Sequence, residues 1–159
     1  LLAAVGVGLF FGAKASQINE KLSAYRPSNM RSQWLETPHN KLILDAYNAN
    51  PSSMKTAIDN FAALKANKKM LILGDMLELG SYSDEEHLAI LSLLENNSFN
   101  SVVLIGPRFG KYQNQFHPFL FFKDTAEARK ALEQNKADGF TILLKGSRGI
   151  GVDILKDLF

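Results

Sequence analysis

From Lys41 to the end, the chain repeats one pattern: a short apolar run, a polar turn, then a stretch whose apolar residues recur three and four apart. The runs are Lys41–Asp45, Lys69–Asp75, Ser101–Gly106, Phe119–Phe122 and Phe140–Leu144. Uninterrupted apolar runs of this length, bounded by turn residues, read as buried strands. The stretches between them, Pro51 to about Lys65, Asp84–Asn96, Thr125–Asn135 and Val152–Phe159, read as helices. In the first of these, Met54, Ala57, Ile58, Phe61 and Leu64 form one apolar stripe, the core-facing pattern of an amphipathic helix. Regular alternation of strand and helix predicts an α/β fold, a mostly parallel sheet with helices on both faces.

Upstream the pattern changes. Leu1–Phe11 is rich in small and apolar residues, as in a buried helix, with Gly12 as its stop. A second helix is expected from Ser16, a candidate N-cap with Glu20 behind it, to Pro27. These residues have too little company to form a core and are expected to be the tail of a preceding domain. Arg26–Gln33 is a polar connector. Trp34–Thr37 and Lys41–Asp45 flank Pro38-His39-Asn40, a hairpin spacing.

With 46% hydrophobic residues and 21% charged, the 159-residue chain has the apolar material for a globular core. The net charge of +2 is too small to argue for nucleic acid or an anionic membrane. The apolar start is about half the ~20 residues that a membrane span needs, so no membrane insertion is expected. Lack of cysteine excludes disulfides and thiolate metal sites and suits a cytoplasmic protein. The chain begins without methionine, and is expected to start inside a larger protein.

In an open α/β sheet, ligands bind beyond the carboxyl ends of the strands, so polar clusters at strand ends are the candidates. Asp45-Ala46-Tyr47-Asn48-Ala49-Asn50-Pro51 follows the first run, with Asn50 placed to cap a helix opened by Pro51. Turn-forming Asp and Asn alone would also explain it. Gly74-Asp75-Met76-Leu77-Glu78-Leu79-Gly80 follows the second run; Asp75 is either a ligand contact or an acid that caps its loop. His87, alone in a helix, reads as structural or exposed, because no second His or Cys stands at metal spacing. Lys145-Gly146-Ser147-Arg148-Gly149 offers two cations, a hydroxyl and free backbone N–H groups, a set suited to a carboxylate or phosphate. A solvated basic loop is the plainer alternative. Arg31 matters only if the connector folds over a site. No P-loop, Gly-x-Ser-x-Gly, HExxH or Gly-x-Gly-x-x-Gly pattern occurs.

Four strings, in order and spacing, resemble the C-terminal domain of the Mur ligase family: Asn29-Met30-Arg31-Ser32-Gln33, Asp45 to Met54, Leu73 to Gly80 with His87, and Leu144-Lys145-Gly146-Ser147-Arg148. They are most similar to the branch that adds D-alanyl-D-alanine to a UDP-N-acetylmuramoyl-tripeptide. The resemblance covers nearly the whole chain. It implies residues 1–30 as the last helices and linker of a central ATPase domain, and 31–159 as a Rossmann-like domain that closes over the site. It implies ATP and Mg²⁺, held mainly by the central domain, an acyl-phosphate intermediate, and no ligation by this chain alone. It implies nucleotide contacts from Arg31, Asp45, Tyr47 and Asn48, with Asp45 at the ribose. It implies contacts to the peptide substrates from Asn50, Asp75, Lys145, Ser147 and Arg148, and no catalytic residue or metal ligand here. A folylpolyglutamate-synthetase-like ligase domain and a binding module without chemistry stand as alternatives.

Overall fold

The computed structural model describes residues 2–25 and 28–159. A six-stranded sheet forms the centre, in the order β1-β2-β6-β3-β4-β5. The strands are β1 (Gln33–Glu36), β2 (Lys41–Asp45), β3 (Lys69–Gly74), β4 (Ser101–Ile105), β5 (Leu120–Phe122) and β6 (Thr141–Lys145). The expected hairpin forms: β1 pairs antiparallel with β2, and every other pairing is parallel. The predicted α/β class therefore holds.

Helices α3 (Pro51–Ala63), α4 (Ser83–Glu95), α5 (Pro107–Gly110) and α6 (Thr125–Gln134) connect the strands. Strand side chains alternate between faces, and two apolar layers result. Leu71, Leu73, Leu104 and Leu143 meet Met54, Ile58 and Phe61 of α3 and Ile90, Leu91 and Leu94 of α4. On the opposite face, Leu42, Leu44, Ile72, Ile142 and Leu144 meet Ala128 and Leu132 of α6, and Val152 and Leu155. Asn50 caps α3 as expected: its Oδ1 accepts from Ser53 N–H at 2.8 Å, and Ser53 Oγ accepts from Asn50 N–H at 3.1 Å. The short α5 was not legible in the sequence, and the final segment Val152–Leu158 is 3₁₀ rather than α.

Two helices precede the sheet, α1 (Leu2–Phe10) and α2 (Ala15–Ala24). Within this chain neither contributes a buried residue, and Leu2, Phe10 and Phe11 are largely exposed. An apolar sequence is buried only where a partner surface exists to cover it. The cap of α2 also falls earlier than expected, at Lys14 rather than Ser16, with Gln17 Oε1 accepting from Lys14 N–H at 3.0 Å. The stop assigned to Pro27 lies outside the described residues.

Candidate functional site

The parallel register brings the carboxyl ends of β2, β6 and β3 side by side. Three loops rise from that edge: 46–50, 146–151 and 75–82. Gly146 lets them converge, since a Cβ there would sit 3.0 Å from the Gly74 Cα.

Asp45 and Lys145 are register partners on β2 and β6. Lys145 Nζ, almost fully buried, donates to Asp45 Oδ2 at 2.8 Å and to the Asn48 carbonyl at 3.4 Å. Asp45 Oδ1 accepts from Ser32 N–H at 3.0 Å. The connector bends there through left-handed Met30 and Ser32, with φ of 55° and 50°. One carboxylate thus ties connector, β2 and β6 together.

Beside the loops that follow this pair lies a cleft of about 230 Å³, lined by Tyr47, Asn48, Leu77, Glu78, Ser147, Arg148 and Gly149. The Arg31 guanidinium lies 4.1 Å from the Tyr47 ring centroid, and that of Arg148 lies 5.9 Å from it. Both distances fall within the range of cation–π attraction. A larger hollow of about 490 Å³ opens at the other end of the sheet, by Trp34, His39 and Phe140. The smaller cleft is the better candidate, because it gathers the charged groups at the strand ends where such sheets bind ligands.

The sequence-predicted residues divide into two groups. Arg31, Tyr47, Asn48 and Arg148 gather at the cleft, open to it or stacked at its rim. Five others are engaged within the protein: Asp45, bound by Lys145 and Ser32 as above, and the four that follow. Asp75, expected to meet substrate, is fully buried, and accepts from Arg108 N–H at 2.8 Å and Phe109 N–H at 3.0 Å. It holds the start of α5; at Gly106, φ +125°, any Cβ would overlap its carboxylate. Ser147 Oγ accepts from Leu77 N–H at 2.9 Å and donates to the Ala49 carbonyl at 3.4 Å, joining the three loops. Lys145 is buried against Asp45, and the Asn50 side-chain oxygen serves α3. Asp75, Ser147 and Lys145 thus each have partners inside the protein, as burial of a polar group demands, and Ser147 also borders the cleft.

His87, read as structural or exposed, is fully buried. Its Nδ1 lies 2.6 Å from the Ser83 carbonyl, so Nδ1 carries the proton. Its Nε2 accepts from Met76 N–H at 3.0 Å and lies 3.7 Å from Asp75 Oδ1. Burial pushes the imidazole below its ordinary value, opposed by the Ser83 carbonyl and by Asp75. Burial pushes the Asp75 carboxyl up, opposed by the amides of Phe109 and Arg108. Sequence reasoning did not single out Leu77 and Glu78 within their string; Glu78 adopts φ +66°, unusual for a residue with a side chain.

Among the described residues no three His, Asp or Glu side chains gather to hold a metal ion. No helix of the described residues is long and apolar enough to cross a membrane.

The comparisons with known proteins agree with this geometry. Residues 30–148 match the family model described as "Mur ligase, glutamate ligase domain". The chain is similar to UDP-N-acetylmuramoyl-tripeptide–D-alanyl-D-alanine ligase of Bacillus subtilis, 33% identical over 99% of the chain. It spans about 36% of that relative's length. Among solved structures, MurF of Acinetobacter baumannii superposes with a TM-score of 0.84 and 25% identity, over 98% of this chain and 35% of that one. MurF of Thermotoga maritima, in complex with ADP, shares the fold with a TM-score of 0.80 at 23% identity, over 99% of this chain and 36% of that one. A Yersinia pestis folylpolyglutamate synthase/dihydrofolate synthase shares the fold more distantly, with a TM-score of 0.62 at 18% identity, over 92% and 35% of the two chains. Matched by the family model from residue 30 to residue 148, the chain belongs to the Mur ligase family.

Proposed function

We propose that this chain is the C-terminal part of an ATP-dependent ligase that joins D-alanyl-D-alanine to a UDP-N-acetylmuramoyl-tripeptide, in the cytoplasm, during peptidoglycan precursor synthesis. The observation that carries the reading is its similarity, along 99% of its length, to a Bacillus subtilis enzyme named for that reaction. In this reading residues 1–30 close a preceding ATPase domain and 31–159 form the domain that shuts over the site. The exposed apolar side chains of α1 support that division, because such a helix needs a surface to cover it.

The chemistry proceeds in two transfers. The γ-phosphoryl group of ATP passes to the terminal carboxylate of the tripeptide, releasing ADP. The amine of the dipeptide then attacks the acyl-phosphate carbonyl; the C–O bond breaks, phosphate leaves and the amide forms with loss of a proton. Positioning and charge stabilisation dominate such reactions. Arg31, Asp45, Tyr47 and Asn48 face the nucleotide, and Arg148 takes the dipeptide carboxylate. Lys145, Ser147, Asp75 and Asn50 hold the three loops in place. In this reading Mg²⁺ is held with ATP, mainly by the preceding domain.

The test is phosphate release by the full-length protein given ATP, Mg²⁺, the UDP-linked tripeptide and D-alanyl-D-alanine. Release should require both peptide substrates, and the 159-residue chain alone should release none. Arg148→Ala should raise KM for the dipeptide more than KM for ATP. Turnover by the chain alone, or release indifferent to the dipeptide, would refute the assignment.

A further inference from the structure

We propose that Glu78 binds the amine end of the acceptor, so that the cleft holds a short zwitterionic peptide between Glu78 and Arg148. The inference rests on the functional reading above for the identity of the acceptor.

The cleft carries opposite charges on its own wall: the Glu78 carboxylate and the Arg148 guanidinium both line it. Among the described residues Glu78 takes part in no ion pair, although Arg148 lies in the same wall. The guanidinium is directed instead toward the Tyr47 ring. Two unlike charges that line one small cleft without pairing match a ligand with a cation at one end and a carboxylate at the other. The volume, about 230 Å³, is below the ~300–1,000 Å³ of sites for drug-sized ligands, and suits a molecule as small as a dipeptide. A carboxylate accepts N–H from an ammonium and from a neutral amine alike, so the contact persists when the amine loses its proton to become a nucleophile.

The placement of Glu78 is built rather than incidental. The two preceding amides are each fixed from a different element: Met76 N–H by His87 Nε2 of α4 at 3.0 Å, and Leu77 N–H by Ser147 Oγ at 2.9 Å. Leu77 also packs so closely on the loop after β6 that a Cβ on Gly149 would come within 2.9 Å of its Cδ1. Glu78 follows at φ +66°, a conformation that costs free energy for any residue with a side chain. His87 and Ser147 are positioning residues here: they aim Glu78 without touching the ligand.

The experiment is steady-state kinetics of the full-length protein with Glu78→Gln and Glu78→Gly. Glycine relieves the left-handed strain, so Glu78→Gly should melt no lower than the unsubstituted protein. Both variants should raise KM for D-alanyl-D-alanine roughly 10- to 100-fold, the worth of one charge-assisted contact, and leave KM for ATP unchanged. If either folded variant keeps the original dipeptide KM while the unsubstituted enzyme is active, the assignment of Glu78 is wrong and the ligase reading stands. If the unsubstituted enzyme does not use the dipeptide, the ligase reading fails and this inference with it.

Discussion

Asp45 and Lys145 are neighbours in register at the ends of adjacent parallel strands, and their side chains close on one another at 2.8 Å with the lysine almost wholly buried. The resemblance divided them between two ligands, nucleotide for Asp45 and dipeptide for Lys145. The structure makes them one unit, which also anchors the connector through Ser32 N–H. A substitution at either position therefore disturbs both sides of the cleft.

The first prediction follows from the unequal burial of the pair. Asp45→Ala leaves a buried ammonium with only the Asn48 carbonyl, and should cost about 3 kcal/mol, the low end for breaking a buried pair. Lys145→Met leaves a carboxylate that is 19% exposed and still accepts from Ser32, so it should cost less, about 1–2 kcal/mol. The double variant should cost less than the sum of the two, as expected for residues in contact. Urea unfolding of the four proteins measures this; strictly additive losses would mean the pair contributes nothing.

His87 gives the second. Its folded value lies below the ordinary 6.5 because burial disfavours the imidazolium. As pH falls through 6.5 the unfolded chain takes up a proton that the folded chain refuses, so stability should fall toward acid until the folded histidine also titrates. Asp75 acts with opposite sign above 3.8. Its raised value means the folded chain keeps a proton that the unfolded chain releases near 3.8, so stability rises as pH falls between those values. In His87→Gln the loss that begins below 6.5 should be absent. In His87→Ala the Met76 amide loses its acceptor, at about 1–3 kcal/mol, and should exchange with solvent faster. Denaturation across pH and hydrogen exchange at Met76 check both statements; an unaltered acid limb in His87→Gln would contradict the first.

Gly106 supplies the third. Its φ of +125° and its contact with the Asp75 carboxylate leave no room for a side chain. Gly106→Ala should destabilise the protein by more than the ~1 kcal/mol that such a change is worth at a compatible glycine, by pushing Asp75 off the amides of Arg108 and Phe109. Thermal unfolding would show it, and a Tm equal to that of the unsubstituted protein would rule the packing argument out.

The strand and helix order, the hairpin before β2, the Asn50 cap and the two-faced core follow from local rules. Period, turn chemistry and capping act within a few residues. Alternation along one strand is enough to send Leu71 and Leu73 to one face and Met70 and Ile72 to the other. The polar strings at Asp45, Asp75 and Lys145 were legible too, as residues at strand ends. What each side chain does there was not. Whether Asp75 faces a ligand or the amides of α5, whether Lys145 meets a carboxylate from outside or Asp45 from inside, and whether Glu78 reaches the cleft all depend on which strands lie adjacent and how far they run. Those are facts about residues 100 apart in sequence, as with Asp45 and Lys145. A buried charge takes whichever partner the packed interior offers, because leaving it unpaired costs more than any local preference. The sequence by itself therefore determined the elements and the candidate residues, and only the tertiary structure decided which of them are free to bind and which hold the site together.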